Sequence, residues 1–431
     1  MPSVTFVRFP RTPLSLISLA AALCFGGPVS AEVYDDVQVV GAELIPADDI
    51  RRTCGELTGV YLDDRELQAV EDCLMSTGVF EAVSVMGKGD LLVIDVTEVE
   101  LRPGRIDVGL GWVNDQGLTG TISYEQYNLL PDTFGAVHGD FSRESKSYDV
   151  NLFRAETFGP ELGLGFDLSG QESDFEDLAF SGRNHQGNVY LSWTPTPEFR
   201  IEYGLGYRDH SLTDLDDGAS ALLRSEVGRI NAPFARAGLS YRSAEKDGQS
   251  QVSIRVEQFL WNLGTDDPIS ETQLEVGSRY PMGERTSLML GLRGSVVTGL
   301  AGNDTTALDR NFAGGDTFRG FAPRGVAPSD QGDLLGGNRF LVASLELQRD
   351  LGEFLGRNFS GGIFADVGSV WGLDNTLDGR IDDSKKIRSS VGVSLSFDVG
   401  DTPVSLYAAA PVDRQPDDRV QYFGLEVSAN F

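Results

Sequence analysis

The sequence predicts a transmembrane β-barrel of about 16 antiparallel strands over residues 100–431, with a small α/β module over residues 32–99 before it. Three observations indicate this fold class. Apolar and polar residues alternate in strand-length segments throughout the larger region. No apolar run reaches the length of about 18 residues that a membrane-spanning helix needs, and a closed barrel is the other structure that satisfies its backbone in lipid. The N-terminal segment has the pattern of an export signal.

Composition excludes several functional classes. The chain of 431 residues carries 35 Lys and Arg against 65 Asp and Glu, a net charge of -30. An acidic surface repels phosphate backbones, so we expect no nucleic-acid partner. With 3 His and 3 Cys and neither a Walker loop nor a Gly-x-Gly-x-x-Gly motif, we expect no metal and no cofactor.

Residues 1–31 are interpreted as a secretory signal. Arg8 and Arg11 precede an apolar run over residues 14–25, and Val-Ser-Ala at residues 29–31 suits signal peptidase. A short buried helix is the alternative. Export leaves Cys54 and Cys73 in a compartment where disulfides form. A bridge between them would contribute about 3 kcal/mol of stability in the loop-entropy model, and the alternative is two buried thiols.

Residues 32–99 predict the order β-α-α-β-β, because the spacing of apolar residues changes several times. Acidic residues and proline mark the helix starts, and glycine marks a helix end. The predicted elements are a strand around residues 37–39, a helix over 46–57, a helix from Asp63 or Asp64 to Gly78, and two strands over 80–85 and 92–96 joined by a turn at 87–90.

From residue 100 onward the strand period dominates. One face of each segment is apolar and the other carries Gly, Ser or charge, most clearly in segments 106–112, 162–168, 201–207, 288–292, 391–397 and 423–431. A sandwich with an apolar core and a barrel with its apolar face in lipid both fit this pattern. Export and acidic stretches such as 209–218, which suit external loops, favour the barrel. At roughly 21 residues for each strand with its loop, about 16 strands result.

Residues 314–321, Gly-Gly-Asp-Thr-Phe-Arg-Gly-Phe, resemble the loop signature of the BamA/TamA superfamily of outer-membrane assembly and secretion barrels. Further motifs follow in the order of that family: Leu335-Gly336-Gly337-Asn338, Ser344-Leu345-Glu346-Leu347, Phe364-Ala365-Asp366-Val367-Gly368 and Trp371. The module over 32–99 resembles a POTRA domain. The resemblance covers essentially the whole mature chain, but one POTRA-like unit stands where the main bacterial members carry several.

Alternation and resemblance together predict a lock inside the barrel. Because apolar residues flank Glu346 and Asp366 in their strands, both acids face the lumen with Phe364 and Gly368. The resemblance implies that Arg319 pairs with Asp366, with Glu346 nearby. The expected lumenal lock comprises Phe318, Arg319, Gly320, Phe321, Glu346 and Asp366. The alternative is a surface loop with solvated charges.

The first and last strands are expected to meet at a lateral seam. Gly109 and Gly111 in the first strand predict weak pairing there, because glycine has no side chain to pack. Phe431 at the chain end has two interpretations, an edge-strand terminus or a terminal aromatic signal read during barrel insertion.

The resemblance implies a non-enzymatic insertase or translocase of the bacterial outer membrane, with its POTRA-like domain in the periplasm. The expected partners are outer-membrane lipids, unfolded exported polypeptides, and periplasmic or lipoprotein accessory factors. A two-partner-secretion pore for one exported protein and a passive porin or structural barrel are the alternatives. An enzyme has the least support, because His138, His185 and His210 form no recognisable base–nucleophile arrangement.

Overall fold

A computed structural model describes residues 32–42, 45, 47–55, 57–77, 79–98, 104–113, 117–244, 249–283, 285–354, 357–399 and 402–427. The expected signal over residues 1–31, Gly78 and Phe431 lie outside these residues. The chain divides after residue 102 into two compact units. Within the described residues, no helix has both the length and the apolar character needed to traverse a bilayer.

The N-terminal unit is a three-stranded sheet with two helices. Its elements are β1 (Glu32–Val33), β2 (Asp36–Val40), α1 (Ala47–Thr53), β3 (Tyr61–Leu62), α2 (Asp64–Ser76), β4 (Phe80–Lys88) and β5 (Leu91–Glu98). Strand β5 is central, parallel to β2 and antiparallel to β4. Ile50 of α1 and Leu74 of α2 are buried against Leu92 and Ile94 of β5. The short β1–β3 pair was not predicted, since two-residue strands show no alternation.

The two helices are delimited by local signals. Asp63 is the N-cap of α2: its Oδ1 accepts the amides of Arg65 and Glu66, both at 2.9 Å, and the Glu66 carboxylate accepts the Asp63 amide. Helix α1 ends at Thr53, short of the predicted end at residue 57, because Gly55 follows in a left-handed conformation with φ +96°.

The second unit is one antiparallel sheet of 16 strands in chain order. These strands are β6 (Arg105–Val113), β7 (Gly117–Leu130), β8 (Thr133–Phe141), β9 (Ser145–Arg154), β10 (Leu162–Ser173), β11 (Ser181–Thr196), β12 (Phe199–Thr213), β13 (Gly228–Arg242), β14 (Gln251–Trp261), β15 (Ile269–Gly283), β16 (Thr286–Gly299), β19 (Arg339–Phe354), β20 (Arg357–Trp371), β21 (Arg388–Val399), β22 (Thr402–Asp413) and β23 (Phe423–Val427). Four short elements lie in the described connections: α3 (Ala221–Ser225), a 3-10 helix (Gly315–Thr317), β17 (Ser329–Asp330) and β18 (Asp333–Leu334).

The apolar face of the sheet points outward. Leu345, Ile363 and Val393 are 46%, 61% and 55% exposed, whereas Phe364 and Asp366, on the opposite face, are 5% and 1% exposed. A sandwich would bury its apolar faces against each other. The outward face therefore suits acyl chains, and the polar face lines a lumen.

The four longest connections between strands of the sheet lie at one end of the barrel. They span residues 214–227, 300–338, 372–387 and 414–422, whereas connections at the other end include turns at 131–132 and 197–198. Strand β12 extends to Thr213, so the expected external stretch 209–218 begins inside a strand. The long loops and nearby strand ends share a buried apolar cluster, which we call the roof cluster: Ala179, Phe180, Leu212, Ala219, Leu222, Leu223, Ala307, Leu335 and Ile381.

Candidate functional site

The long connection 300–338 folds into the lumen. Phe318 and Phe321 near its tip are 0% exposed, and their ring centroids lie 4.6 Å apart. They belong to one buried cluster with Val342 of β19 and Val370 of β20. Both aromatic rings, which the sequence analysis assigned to the lumenal lock, thus pack the loop against the inner face of the barrel.

Arg319 joins the loop to two acids on neighbouring strands. Its Nε and Nη2 donate to the two carboxylate oxygens of Asp366 at 3.0 and 2.9 Å, and its Nη1 donates to Oε2 of Glu346 at 2.5 Å. Its main-chain amide also donates to Asp366, at 3.2 Å. The Asp366 side chain is 1% exposed and that of Arg319 is 14% exposed. This is a bidentate, charge-assisted contact in a largely dry site.

The guanidinium of Arg319 also stacks on an aromatic ring. Its Cζ lies 3.5 Å from the ring centroid of Phe364, which is buried and in edge contact with Tyr407. A desolvated cation–π contact of this kind adds to the attachment of the loop. From sequence, Phe364 was only a motif residue on the lumenal face, so this role was missed.

Two serines of β21 complete the site. Ser394 Oγ donates to Oε1 of Glu346 at 2.6 Å, and Ser390 Oγ donates to the main-chain carbonyl of Arg319. Sequence reasoning missed both serines. The signal was present, because they alternate with the outward-facing Val391 and Val393.

Glycine is required at two positions of the site. Gly320 has φ +94°, and a Cβ there would lie 2.9 Å from the Cβ of Ser390. A Cβ on Gly368 would lie 2.6 Å from Cγ2 of Val342 and 2.7 Å from the carbonyl oxygen of Leu341. Gly320 therefore permits the turn after Arg319, and Gly368 permits the close approach of β19 to β20.

The same loop is attached at a second place, which the sequence did not reveal. Arg208 of β12 donates to Oδ1 of Asp309 at 3.0 Å, with both side chains almost fully buried. Arg310, whose side chain is 0% exposed, pairs with Glu226 and donates to the carbonyl of Leu335 at 3.1 Å. Burial raises the pKa of Glu226 above its usual value, and the charge of Arg310 opposes that shift.

The expected seam residues lie as follows. Gly109 and Gly111 are in β6, opposite Thr121 and Thr119 of β7. The hydroxyl of Thr121 lies beside Gly109, and a Cβ on this glycine would meet Oγ1 of Thr121 at 2.4 Å. Among the described residues, no pairing joins β6 to β23, and Phe431 is outside them.

In the N-terminal unit, Cys54 and Cys73 are joined by a disulfide, with their Cα atoms 6.1 Å apart. Cys54 directly follows α1, and Cys73 lies in α2. The bridge therefore ties the end of the first helix to the second. Within the described ranges, no group of His, Cys, Asp and Glu has an arrangement that would hold a metal ion.

Known proteins resemble this chain over most of its length. A family model described as the Omp85 superfamily domain matches residues 133–431. The outer membrane protein assembly factor BamA of Neisseria meningitidis serogroup B is 20% identical over 449 residues, covering 92% of this chain and 56% of that protein. BamA of Neorickettsia risticii is 22% identical over 75% of this chain and 45% of that protein. The chain thus spans about half the length of these relatives.

Solved structures show the same fold. BamA from Haemophilus ducreyi lacking POTRA domains 1–3 superposes with a TM-score of 0.76 at 18% identity, covering 92% of this chain and 84% of that one. CdiB from Escherichia coli gives 0.53 at 12% identity, covering 95% and 91%. CdiB from Acinetobacter baumannii gives 0.58 at 12% identity, covering 92% and 74%.

Proposed function

Because this chain belongs to the Omp85 superfamily, we propose that it inserts or translocates exported polypeptides at the bacterial outer membrane, without ATP and without enzymatic chemistry. It is an outer-membrane β-barrel with its apolar face in lipid. The function that best fits its interior is assembly of other outer-membrane proteins, as the name of its BamA relatives describes for them.

One observation carries the proposal: the barrel holds its own loop inside its lumen. Arg319 binds Asp366 and Glu346 on the inner face of the barrel. Residues 309 and 310 of the same loop are held by the pairs of Arg208 with Asp309 and of Arg310 with Glu226. A porin keeps a water-filled channel through its lumen, whereas other barrels are plugged by a loop or a helix. A loop fixed by buried charge pairs instead suits a barrel whose conformational state is controlled, with Arg319 setting that state.

The N-terminal unit supports client capture. We propose residues 32–99 as a POTRA-like periplasmic domain, between the signal over 1–31 and the barrel over 100–431. Strands β2 and β4 are the edges of its three-stranded sheet. An exposed edge can add a strand of an unfolded client by β-augmentation. Periplasmic or lipoprotein accessory factors would bind this same domain.

The seam between β6 and β23 is the proposed exit into lipid. β23 is the last strand in the order of the sheet, and it pairs with β22 at five positions among the described residues. A client hairpin templated on a free edge would close its own hydrogen bonds and bury its apolar side chains in the bilayer. That free-energy gain replaces ATP as the driving force.

Depletion of the protein followed by an outer-membrane proteome tests this function. Loss of many barrel proteins is expected, and complementation with Arg319→Ala should restore them poorly. Arg183→Ala is the matched control, because Arg183 is half-exposed and pairs with Glu172 on the neighbouring strand. Normal barrel levels in cells that contain only Arg319→Ala would contradict a functional lock.

The same experiment separates the alternatives. Loss of one exported protein with unchanged barrel proteins would indicate dedicated two-partner secretion. A large, stable open conductance of the purified protein in planar bilayers would indicate a passive porin. Either result would overturn general assembly as the function.

A further inference from the structure

The loop that carries Arg319 forms a short main-chain ladder with the segment that leads into the last strand. The ladder is centred on an antiparallel bridge between Phe321 and Val420. Its hydrogen bonds run from the amide of Ala322 to the carbonyl of Arg419 at 2.9 Å, from the amide of Arg419 to the carbonyl of Gly325 at 3.0 Å, and from the amide of Gln421 to the carbonyl of Gly320 at 3.1 Å. The loop thus acts as a strand partner for residues 419–421.

The loop between β10 and β11 contacts both segments of this ladder through Asp177. Arg419 donates to the main-chain carbonyl of Asp177, and Arg324 donates to the Asp177 carboxylate at 3.0 Å. Arg324 occupies a left-handed conformation with φ +57°, which is costly for a residue with a side chain. Its guanidinium lies 3.5 Å from the ring centroid of Phe175. These contacts hold the turn after Ala322 in the shape that the ladder needs.

The ladder is directly continuous with both the lumenal lock and the seam strand. Gly320, which accepts the amide of Gln421, follows Arg319 in the chain. On the other side, Gln421 lies two residues before β23, and Tyr422 accepts the amide of Ala409 from β22 at 2.8 Å. A displacement of Arg319 would therefore be transmitted to the start of β23 through the adjoining peptide units and the hydrogen bond between Gln421 and Gly320.

We infer that the lumenal lock positions the last strand, through the pairing of residues 320–325 with residues 419–421. With Arg319 bound to Asp366, the ladder holds the entrance to β23, and release of Arg319 frees that entrance. The element with two arrangements is the ladder itself, paired or unpaired. The use of this coupling in opening a seam rests on the proposed function; the coupling itself does not.

Substitution at Gly325 cuts the ladder without touching the lock. A Cβ there would lie 2.6 Å from the carbonyl oxygen of Arg419 and 2.7 Å from that of Ala322, so Gly325→Ala forces the two segments apart. Gly228→Ala is the matched control, because a Cβ at Gly228 has no atom within 4 Å. Hydrogen–deuterium exchange of amides 423–427 is measured on the full chain in lipid vesicles. We expect about tenfold faster exchange in Gly325→Ala, the effect of losing one or two hydrogen bonds, and unchanged exchange in β10–β12.

Arg319→Ala provides the second measurement, and it tests the coupling between the lumenal lock and β23 even if Gly325→Ala does not fold. The side-chain contacts of Arg319 lie on β19 and β20, yet the inference predicts faster exchange in β23. Equal exchange of amides 423–427 in Gly325→Ala and Gly228→Ala, or unchanged exchange in Arg319→Ala, would overturn the coupling. No client is present in this assay. Faster exchange together with normal client assembly would therefore uphold the coupling and overturn the proposed role of the seam.

Discussion

Removing the guanidinium of Arg319 should be far more costly than removing a charge from the barrel surface. Arg319→Ala leaves Asp366, 1% exposed, with the main-chain amide of residue 319 as its remaining donor in the lock. Breaking a buried pair by removing one partner costs about 3–5 kcal/mol, because the other charge is left uncompensated. The lost stacking on Phe364 adds about 1 kcal/mol or more.

A double-mutant cycle isolates the pair itself. Asp366→Asn in the Arg319→Ala background removes the stranded charge, so the double variant should recover part of the lost stability. We expect a coupling free energy of about 2 kcal/mol or more between the two positions. The assay is denaturant unfolding in lipid vesicles followed by tryptophan fluorescence, for which Trp371 at the end of β20 is well placed.

The exposed pair of Arg183 with Glu172 is the control cycle. Its side chains are 52% and 46% exposed, and pairs of this kind contribute less than about 1 kcal/mol. A coupling free energy at the lumenal pair no larger than that of the control would refute the argument that desolvation makes this contact strong.

Three further outcomes are expected. Arg310→Ala removes the cation that opposes the raised pKa of Glu226, so burial raises that pKa further. The free energy of unfolding of the variant, relative to wild type, should increase as pH falls through the pKa of Glu226 and decrease as pH rises. The melting temperatures of variant and wild type at pH 5 and pH 8 measure this difference. Asp63→Ala removes the N-cap of α2 and should cost about 1 kcal/mol, seen as faster amide exchange in the first turn of that helix. Replacing Cys54 and Cys73 by Ser should lower the stability of the N-terminal unit by about 3 kcal/mol, measured by amide exchange of α2 at increasing denaturant.

Much of the fold was predictable because alternation has a strict period. The segments around Leu345 and Ile363 alternate cleanly, so their outward direction and the inward direction of Asp366 follow from sequence. The strand number followed from chain length and strand length. Strand ends were less predictable: the acidic residue Asp209 looked like loop, although it pairs with Arg229 within neighbouring strands.

The site was predictable only in part. The resemblance pointed to Arg319, Asp366 and Glu346, which the structure brings together. The sequence did not pair Arg208 with Asp309 or Arg310 with Glu226, because the two residues of each pair lie about 80 to 100 residues apart. Of these four residues Arg208 alone lies in a strand, and single charges in loops carry no period. Such contacts depend on how the loops cross the lumen, which local patterns do not encode.

The sequence distances within the loop contacts also bear on the order of folding. Arg319 reaches partners only 27 and 47 residues away, whereas Arg419 reaches Asp177 across 242 residues. Closing a short chain segment costs less entropy than closing a long one. The contacts of Arg319 with Glu346 and Asp366 should therefore form early, before the N-terminal strands of the barrel have paired. The contact between Arg419 and Asp177 would then form late in folding, after the strands that separate the two residues have paired.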